Sequence, residues 1–283
     1  MNTIALLGAG GKMGLRITDN LLKTSYLVRH VEITDAGRSA LEWRGVNPVK
    51  IEEALDGSDV VVLALPDNCI GQVVSGVAHL LKSGTMLIAL NIAAPLAGVL
   101  PKRDDLVYFV THPCHPSVFG AEVKREAQLD FFGGVYARQN IICSLVQGPE
   151  ERYAQAEALA RTIFAPVERC HRCTPIHMAM LQPVLSETVL ATCLTMVREA
   201  MDEAVWRGVP EDAARDFLLG HLKVQLGIVF QLFEGARFSD AAMKAVEAAQ
   251  ENNFQPGWKN IFETESIMQS VRQIAGASRG KPA

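Results

Sequence analysis

Short apolar runs alternate with stretches of helical spacing through the first half of the chain. Ile4-Ala5-Leu6-Leu7 opens it as a strand, and residues 12–23 place Met13, Ile17, Leu21 and Leu22 on one side of a helix. Leu27-Val28-Arg29-His30-Val31 is a second strand, and 36–44 a second helix. Asp59-Val60-Val61-Val62-Leu63-Ala64-Leu65 is almost wholly apolar, as a parallel strand covered on both faces must be. Pro66-Asp67-Asn68 ends it ahead of a helix over 70–81. Residues 85–90 and 106–111 are further strands, and 141–146 and 167–170 are strands around a helix over 150–164. This alternation, with short connections, predicts an α/β chain built on a doubly wound, Rossmann-type parallel sheet.

From Thr174 the pattern becomes helical throughout. Pro175 opens a long helix to Trp206, with Pro183 the one breaker within it, and Gly208-Val209-Pro210 stops it. Glu211 and Asp212 suit the first turn of the next helix, which runs to about Phe233. Shorter helices follow over 239–250 and 260–274, and 278–283 is expected to fray. The expected division is a dinucleotide-binding domain over 1–173 and an all-helical domain over 174–283. Leu185, Val189, Leu190, Leu194, Phe217, Leu218, Leu222, Leu226 and Phe230 fall on several sides of the long helices. A helix apolar all round is buried or shared with a partner, and so short a domain offers little depth, so a homodimer is expected.

The chain has 283 residues and a formal charge of -4, with no basic run of the kind that neutralises nucleic-acid phosphates. No apolar stretch is expected to cross a bilayer, the N-terminus begins directly as a strand, and six cysteines stand at irregular spacing. These features point to a reduced, cytoplasmic protein without nucleic-acid or membrane partners.

The chemistry begins at Gly8-Ala9-Gly10-Gly11-Lys12-Met13-Gly14, between the first strand and the first helix. Gly8 permits a tight turn, Gly10 and Gly11 let the backbone approach a pyrophosphate, and Gly14 lets the helix pack on the strand. Met13 stands where G-x-G-x-x-G would have its third glycine, so the spacing reads as G-x-x-G-x-x-G. Glu32 ends the second strand at the distance where an acidic residue accepts the ribose hydroxyls, which points to NAD; Arg29 and Arg38 nearby argue the other way, toward a 2′-phosphate. Pro66, Asp67 and Asn91 end consecutive strands, where a nicotinamide would lie, although each also reads as a plain turn residue.

Thr111-His112-Pro113-Cys114-His115-Pro116-Ser117 follows a strand, and its prolines stiffen a loop bearing two imidazoles. Oxidation of an alcohol needs a base for the hydroxyl proton, and His112 or His115 suits that role; the plainer alternative is a histidine that braces the loop. Glu187, on the long helix, is a further base or ligand, with His221 and Lys223 weaker candidates. Cys170-His171-Arg172-Cys173 lacks the second ligand pair of a structural zinc site and reads as packing.

The glycine turn, Ala64-Leu65-Pro66-Asp67, His112-Pro113-Cys114-His115-Pro116 and the stretch Leu181-Gln182-Pro183-Val184-Leu185-Ser186-Glu187-Thr188 together resemble the 6-phosphogluconate-dehydrogenase-like superfamily, and within it the bacterial D-apionate oxidoisomerase family. The resemblance covers nearly the whole chain. It implies NAD-dependent conversion of D-apionate, a branched sugar acid, to 3-oxo-isoapionate. The Gly-x-x-Gly-x-x-x-Lys helix of the phosphogluconate and β-hydroxyacid dehydrogenases has no counterpart here, so their lysine mechanism does not carry over. The reaction would first make a ketone beside the carboxylate. Deprotonation of the neighbouring tertiary alcohol then lets a carbon substituent migrate, with developing oxyanions stabilised by hydrogen-bond donors or a divalent metal. A simple hydroxy-acid dehydrogenase and a non-catalytic NAD sensor are the competing readings.

Overall fold

A computed structural model describes residues 2–277; the predicted frayed tail at 278–283 lies outside them. In chain order its elements are β1 (Thr3–Leu7), α1 (Lys12–Leu21), β2 (Leu27–Val31), α2 (Asp35–Glu42), α3 (Ile51–Leu55), β3 (Val60–Leu63), α4 (Asp67–Val77), β4 (Met86–Ala89), α5 (Ala93–Leu96), β5 (Val107–Pro113), α6 (Arg125–Gln128), β6 (Gln139–Gln147), α7 (Arg152–Ile163) and β7 (Val167–Arg172). Helical structure then follows as α8 (Pro175–Ala179), a π-wound stretch (Met180–Ala191), α9 (Thr192–Trp206), α10 (Glu211–Val229), α11 (Asp240–Asn253) and α12 (Thr264–Ile274).

The strands form one seven-stranded sheet in the order β2-β1-β3-β4-β5-β6-β7. The first five are mutually parallel, which is the expected Rossmann-type arrangement. β6 departs from the expectation of a parallel sheet, because it pairs antiparallel with β5, and β7 then runs parallel to β6. Between β5 and β6 stands only loop and the one-turn α6, with no crossover helix to carry the chain back to the amino end of the sheet. The hairpin sets His112 opposite Ile142 and Pro113 opposite Ile141, so β6 begins beside the histidine loop.

Ile4, Leu6, Val60, Val62, Met86, Ile88, Phe109 and Ile141 form a fully buried cluster with Ile17 and Leu21 of α1 and Ala156, Leu159 and Ile163 of α7. Phe109 meets Tyr153 of α7 edge-on, with ring centroids 5.6 Å apart.

The chain divides into two compact units, one reaching Pro183 and resuming at Ile267, the other spanning 184–266. The expected division at 173/174 therefore differs from the observed one in two ways. Met178 and Ala179 are fully buried, and α8 packs against α5 and β6, so the start of the long helix belongs to the sheet unit. Ile267 and Val271 of α12 are also fully buried, and they belong to the sheet unit rather than the helical one.

Pro183 does not break the long helix. The π winding from Met180 to Ala191 absorbs it, and Pro175–Trp206 runs on as 32 helical residues. That helix is long and apolar enough to span a membrane by length and composition, which corrects the expectation that no stretch is. In the second unit, α9 and α10 flank an open cavity of about 530 Å³ lined by Val197, Met201, Ala204, Val209, Phe217 and Leu218.

Candidate active site

Gly8 leaves β1 with φ of 76°, and its N–H and that of Ala9 both donate to the Val31 carbonyl at 3.0 Å. A Cβ on Gly8 would stand 2.3 Å from the Ala64 carbonyl oxygen, so the turn is wedged against the end of β3. Gly11 caps α1 without any side-chain hydrogen bond to the first turn. The leading amides of that helix are therefore available to an anion. Met13 packs against the core instead of facing outward. Gly10 was read as leaving room for a pyrophosphate. In the structure its bare Cα crosses Gly37, where a Cβ would come within 2.4 Å of the Gly37 Cα.

That crossing brings Glu32 onto the turn. Its Oε2 accepts the Gly10 N–H at 2.8 Å, while Oε1 accepts the N–H of Ile33, the N–H of Thr34 and the Thr34 hydroxyl, each at 2.9 Å. Burial alone would raise this carboxyl, but the bonds from Thr34, Gly10 and Ile33 outweigh it and hold the group below its ordinary range. A fixed negative charge thus ends β2. The two arginines near this strand end, Arg29 and Arg38, are engaged by backbone. Arg38 Nε donates to the Glu32 carbonyl at 3.0 Å, and Arg29 donates to the carbonyls of Glu53, at 3.0 Å, and Asp56.

The end of β4 is a junction. Asn91 donates to Asp67 Oδ2 at 2.9 Å and accepts the Ala93 N–H at 2.8 Å, while Pro66 caps α4. One residue earlier, the Leu90 carbonyl meets His112 Nδ1 at 2.7 Å; one residue later, the Ile92 N–H points to Gln182 Oε1 at 3.5 Å. Gln182, buried in the π-wound stretch, was not among the candidates read from the sequence; its position just before Pro183 was the available signal.

His112 is the penultimate residue of β5, and His115 follows in the left-handed region with φ of 59°. His115 Nδ1 meets the Phe132 carbonyl at 3.0 Å. A carbonyl only accepts, so both imidazoles carry their proton on Nδ1 when neutral, and both Nε2 atoms hold a lone pair. The two rings lie 6.0 Å apart at 83°. Burial lowers the His112 pKa, opposed by its bond to Leu90 and reinforced by His115, so His112 is neutral at physiological pH. Burial raises the thiol of Cys114, with Cys173 and Cys170 adding to the effect, so Cys114 is no ready nucleophile.

Glu187 lies in the other unit, exposed on the π-wound stretch, where the apolar residues around it still raise its carboxyl by desolvation. His221 stacks on Phe217 at 3.9 Å and bonds the carbonyl of that residue, and Lys223 is exposed; neither joins a cluster. Among the described residues no group of three or more His, Cys, Asp or Glu is placed to hold a metal ion, the Cys170–Cys173 segment included.

The family model for the C-terminal part of phosphogluconate dehydrogenase (decarboxylating) matches residues 120–275. The chain is 52% identical to a D-apionate oxidoisomerase of Rhizobium rhizogenes, over 97% of this chain and 100% of that protein. The chain belongs to the D-apionate oxidoisomerase family. A second member, from Cupriavidus necator, is 50% identical over 96% of this chain and 98% of its own length. A crystal structure from Cupriavidus necator, described as a semialdehyde dehydrogenase NAD-binding protein in complex with calcium and NAD, superposes with a TM-score of 0.94. It shares 49% identity over 97% of this chain and 99% of its own. Family membership thus agrees with the resemblance carried by the glycine turn and the histidine loop.

Proposed function

We propose that the protein is an NAD-dependent D-apionate oxidoisomerase, producing 3-oxo-isoapionate. The observation that carries this reading is the pair of imidazoles on one loop at the carboxyl end of the sheet, each with Nδ1 tied to a carbonyl and Nε2 open. Oxidation with rearrangement moves two hydroxyl protons, and two such nitrogens are present. The uncapped start of α1, with Lys12 in its first turn, fits the pyrophosphate of NAD. Pro66, Asp67 and Asn91 stand at the strand ends where the nicotinamide half would contact the chain.

His112 Nε2 takes the hydroxyl proton of the secondary alcohol beside the carboxylate. NAD, when bound, accepts the hydride from the same carbon. His115 Nε2 then takes the proton of the neighbouring tertiary alcohol, whose oxygen becomes the new carbonyl. A hydroxymethyl substituent migrates with its bonding electrons to the former ketone carbon, and His112 returns a proton to the oxygen there. Glu187, with its raised carboxyl, is proposed as a further proton carrier. The donor set for a chain-built metal site is missing from the described residues, so no step is assigned to a metal.

The apolar helices of the second unit support a homodimer, and the composition supports a cytoplasmic location. Purified protein with NAD and D-apionate should give NADH, and carbon NMR of the product should show the rearranged skeleton. An unrearranged keto acid would make the protein a simple dehydrogenase, and no NADH with any sugar acid would make it a sensor.

A further inference from the structure

Phe132 stands where His115, Lys12 and Arg16 meet, and the reaction as described uses only its carbonyl bond to His115. Its carbonyl takes the Nδ1–H of His115 at 3.0 Å, and the two rings meet edge-on, 5.8 Å between centroids and 89° between planes. The Lys12 ammonium lies over the Phe132 ring, 3.4 Å from its centroid, with the Arg16 guanidinium 5.3 Å away. A cation this close to a ring face is held by the ring quadrupole.

The segment that carries Phe132 is fastened to the cofactor helix. Asp130 Oδ2 accepts the N–H groups of Val135, Tyr136 and Ala137 at 2.9 to 3.2 Å, and its Oδ1 lies 3.5 Å from Arg16 of α1. Arg16 Nε also donates to the Gly133 carbonyl at 3.2 Å. His115 at the same time holds a positive φ, uncommon for a residue with a side chain. The glycine turn and the histidine loop, far apart in sequence, are thus joined through one aromatic residue.

We infer that Phe132 is a positioning residue that links the cofactor turn to the proton-accepting loop. Its ring face sets the Lys12 ammonium beside the α1 N-terminus, and its backbone carbonyl fixes the Nδ1–H form of His115. This rests on the proposed reading of Lys12 as a contact for the NAD pyrophosphate and of His115 as a proton acceptor.

The test measures two quantities at neutral pH, the NAD dissociation constant by calorimetry and the His115 protonation site by imidazole nitrogen NMR. Phe132→Ala and Phe132→Leu should each weaken NAD binding about fivefold. Neither should add to the loss in a Lys12→Met background, because the ring acts through the ammonium. Both variants retain the backbone carbonyl, so His115 should stay in its single Nδ1–H form, and the leucine variant keeps the apolar bulk so that loop folding is controlled. Phe132→Tyr retains the ring face and should restore NAD affinity. Additive losses with Lys12→Met, a His115 that is not in the Nδ1–H form, or tighter NAD binding without the ring each overturn the inference. Failure of the unsubstituted protein to bind NAD overturns the functional reading instead, and the His115 spectrum still decides whether the Phe132 carbonyl holds its Nδ1–H.

Discussion

The two units put similar apolar content to opposite uses. In the sheet unit every residue of β3 and β4 is buried, and Ile4, Leu6, Phe109 and Val110 are fully excluded from solvent. In the helical unit α9 and α11 bury no residue and α10 buries only Ala214 and Gly227, while Phe217 is 68% and Phe230 64% exposed. A doubly wound sheet supplies both halves of its own packing, strand against helix. A helical hairpin with apolar residues on several sides cannot, and it leaves them for a surface outside the unit. The polar chemistry is divided in the same way. Strand ends in the sheet unit are tied by side chains bonded to distant backbone, such as His112 to Leu90 and Glu32 to Gly10, whereas bonds of His221 and Arg198 in the helical unit stay within one turn.

If the sheet unit carries the chemistry, its histidine loop should be the most sensitive position. His112→Gln removes the proton acceptor but keeps a side chain able to bond Leu90, so turnover should fall by about 10² to 10⁴ while NAD affinity stays near its original value. Only neutral His112 can take a proton, and burial lowers its pKa, so kcat/KM should rise with pH through a value below 6.5 and then level. NADH formation against pH, paired with calorimetric NAD titration, checks both. A near-normal rate in the variant would take the first proton transfer off His112, and near-normal rates in both His112→Gln and His115→Gln would make the loop structural.

The helical unit is tested by assembly. Light scattering should report a dimer, and Phe217→Glu, which places a charge at the cavity between α9 and α10, should weaken association by about 100-fold or more. A stable monomer of the unsubstituted chain at micromolar concentration would show that the exposed helices have no second copy to cover them.

The contrast was only partly legible in the sequence. Val60 to Leu63 could be read as a strand because few other environments accept so apolar and largely β-branched a run, and the glycine turn followed from its place between a strand and a helix with Glu32 ending the next strand. The direction of β6 could not be read, since an apolar run has the same composition whichever way it enters a sheet. The apolar stripe of α12 looks the same whether it fills one core or another, and its return to the sheet unit is a long-range choice. Pro183 read as an interruption because helix rules assume α winding, which the π stretch evades. Gln182 and Phe132 carry no periodic signal; their partners, Ile92 and Lys12 among them, are distant in sequence and become neighbours only through the fold.

A buried imidazole in the sheet unit sharpens the comparison. His30 on β2 is 5% exposed, its Nε2 has no hydrogen-bond partner among the described residues, and burial lowers its pKa to about 4. The unfolded chain binds a proton there below its ordinary value of 6.5, while the folded chain does not until about 4. Stability should therefore fall as pH drops across that window, by about 3 kcal/mol at most. Urea unfolding at pH 7 and pH 4.5 should show the loss, and His30→Leu should remove most of it. A variant with the same pH slope as the parent would place the acid sensitivity elsewhere.

The smallest expected effect tests whether the polar bracing of the sheet unit also selects the cofactor. Glu32 accepts bonds at both oxygens, one from Gly10 and three from Ile33 and Thr34. An amide has one accepting oxygen, so Glu32→Gln must set its NH₂ against the donors on one side, at a cost of about 1–2 kcal/mol. The carboxyl is held below its ordinary range, so its contribution is present above that range and is lost as pH falls through the lowered value. The parent should lose that share of stability on acidification, and the glutamine variant should lack it. Removing the charge should also narrow the preference for NAD over NADP by about tenfold, since a 2′-phosphate would no longer meet a fixed anion at the end of β2. Arg29 and Arg38 are already bonded to backbone carbonyls, so the change should come from lost repulsion and not from a new phosphate contact. Steady-state rates with both cofactors, parent against variant, measure it. Equal use of NAD and NADP by the parent would leave Glu32 as a brace of the turn and nothing more.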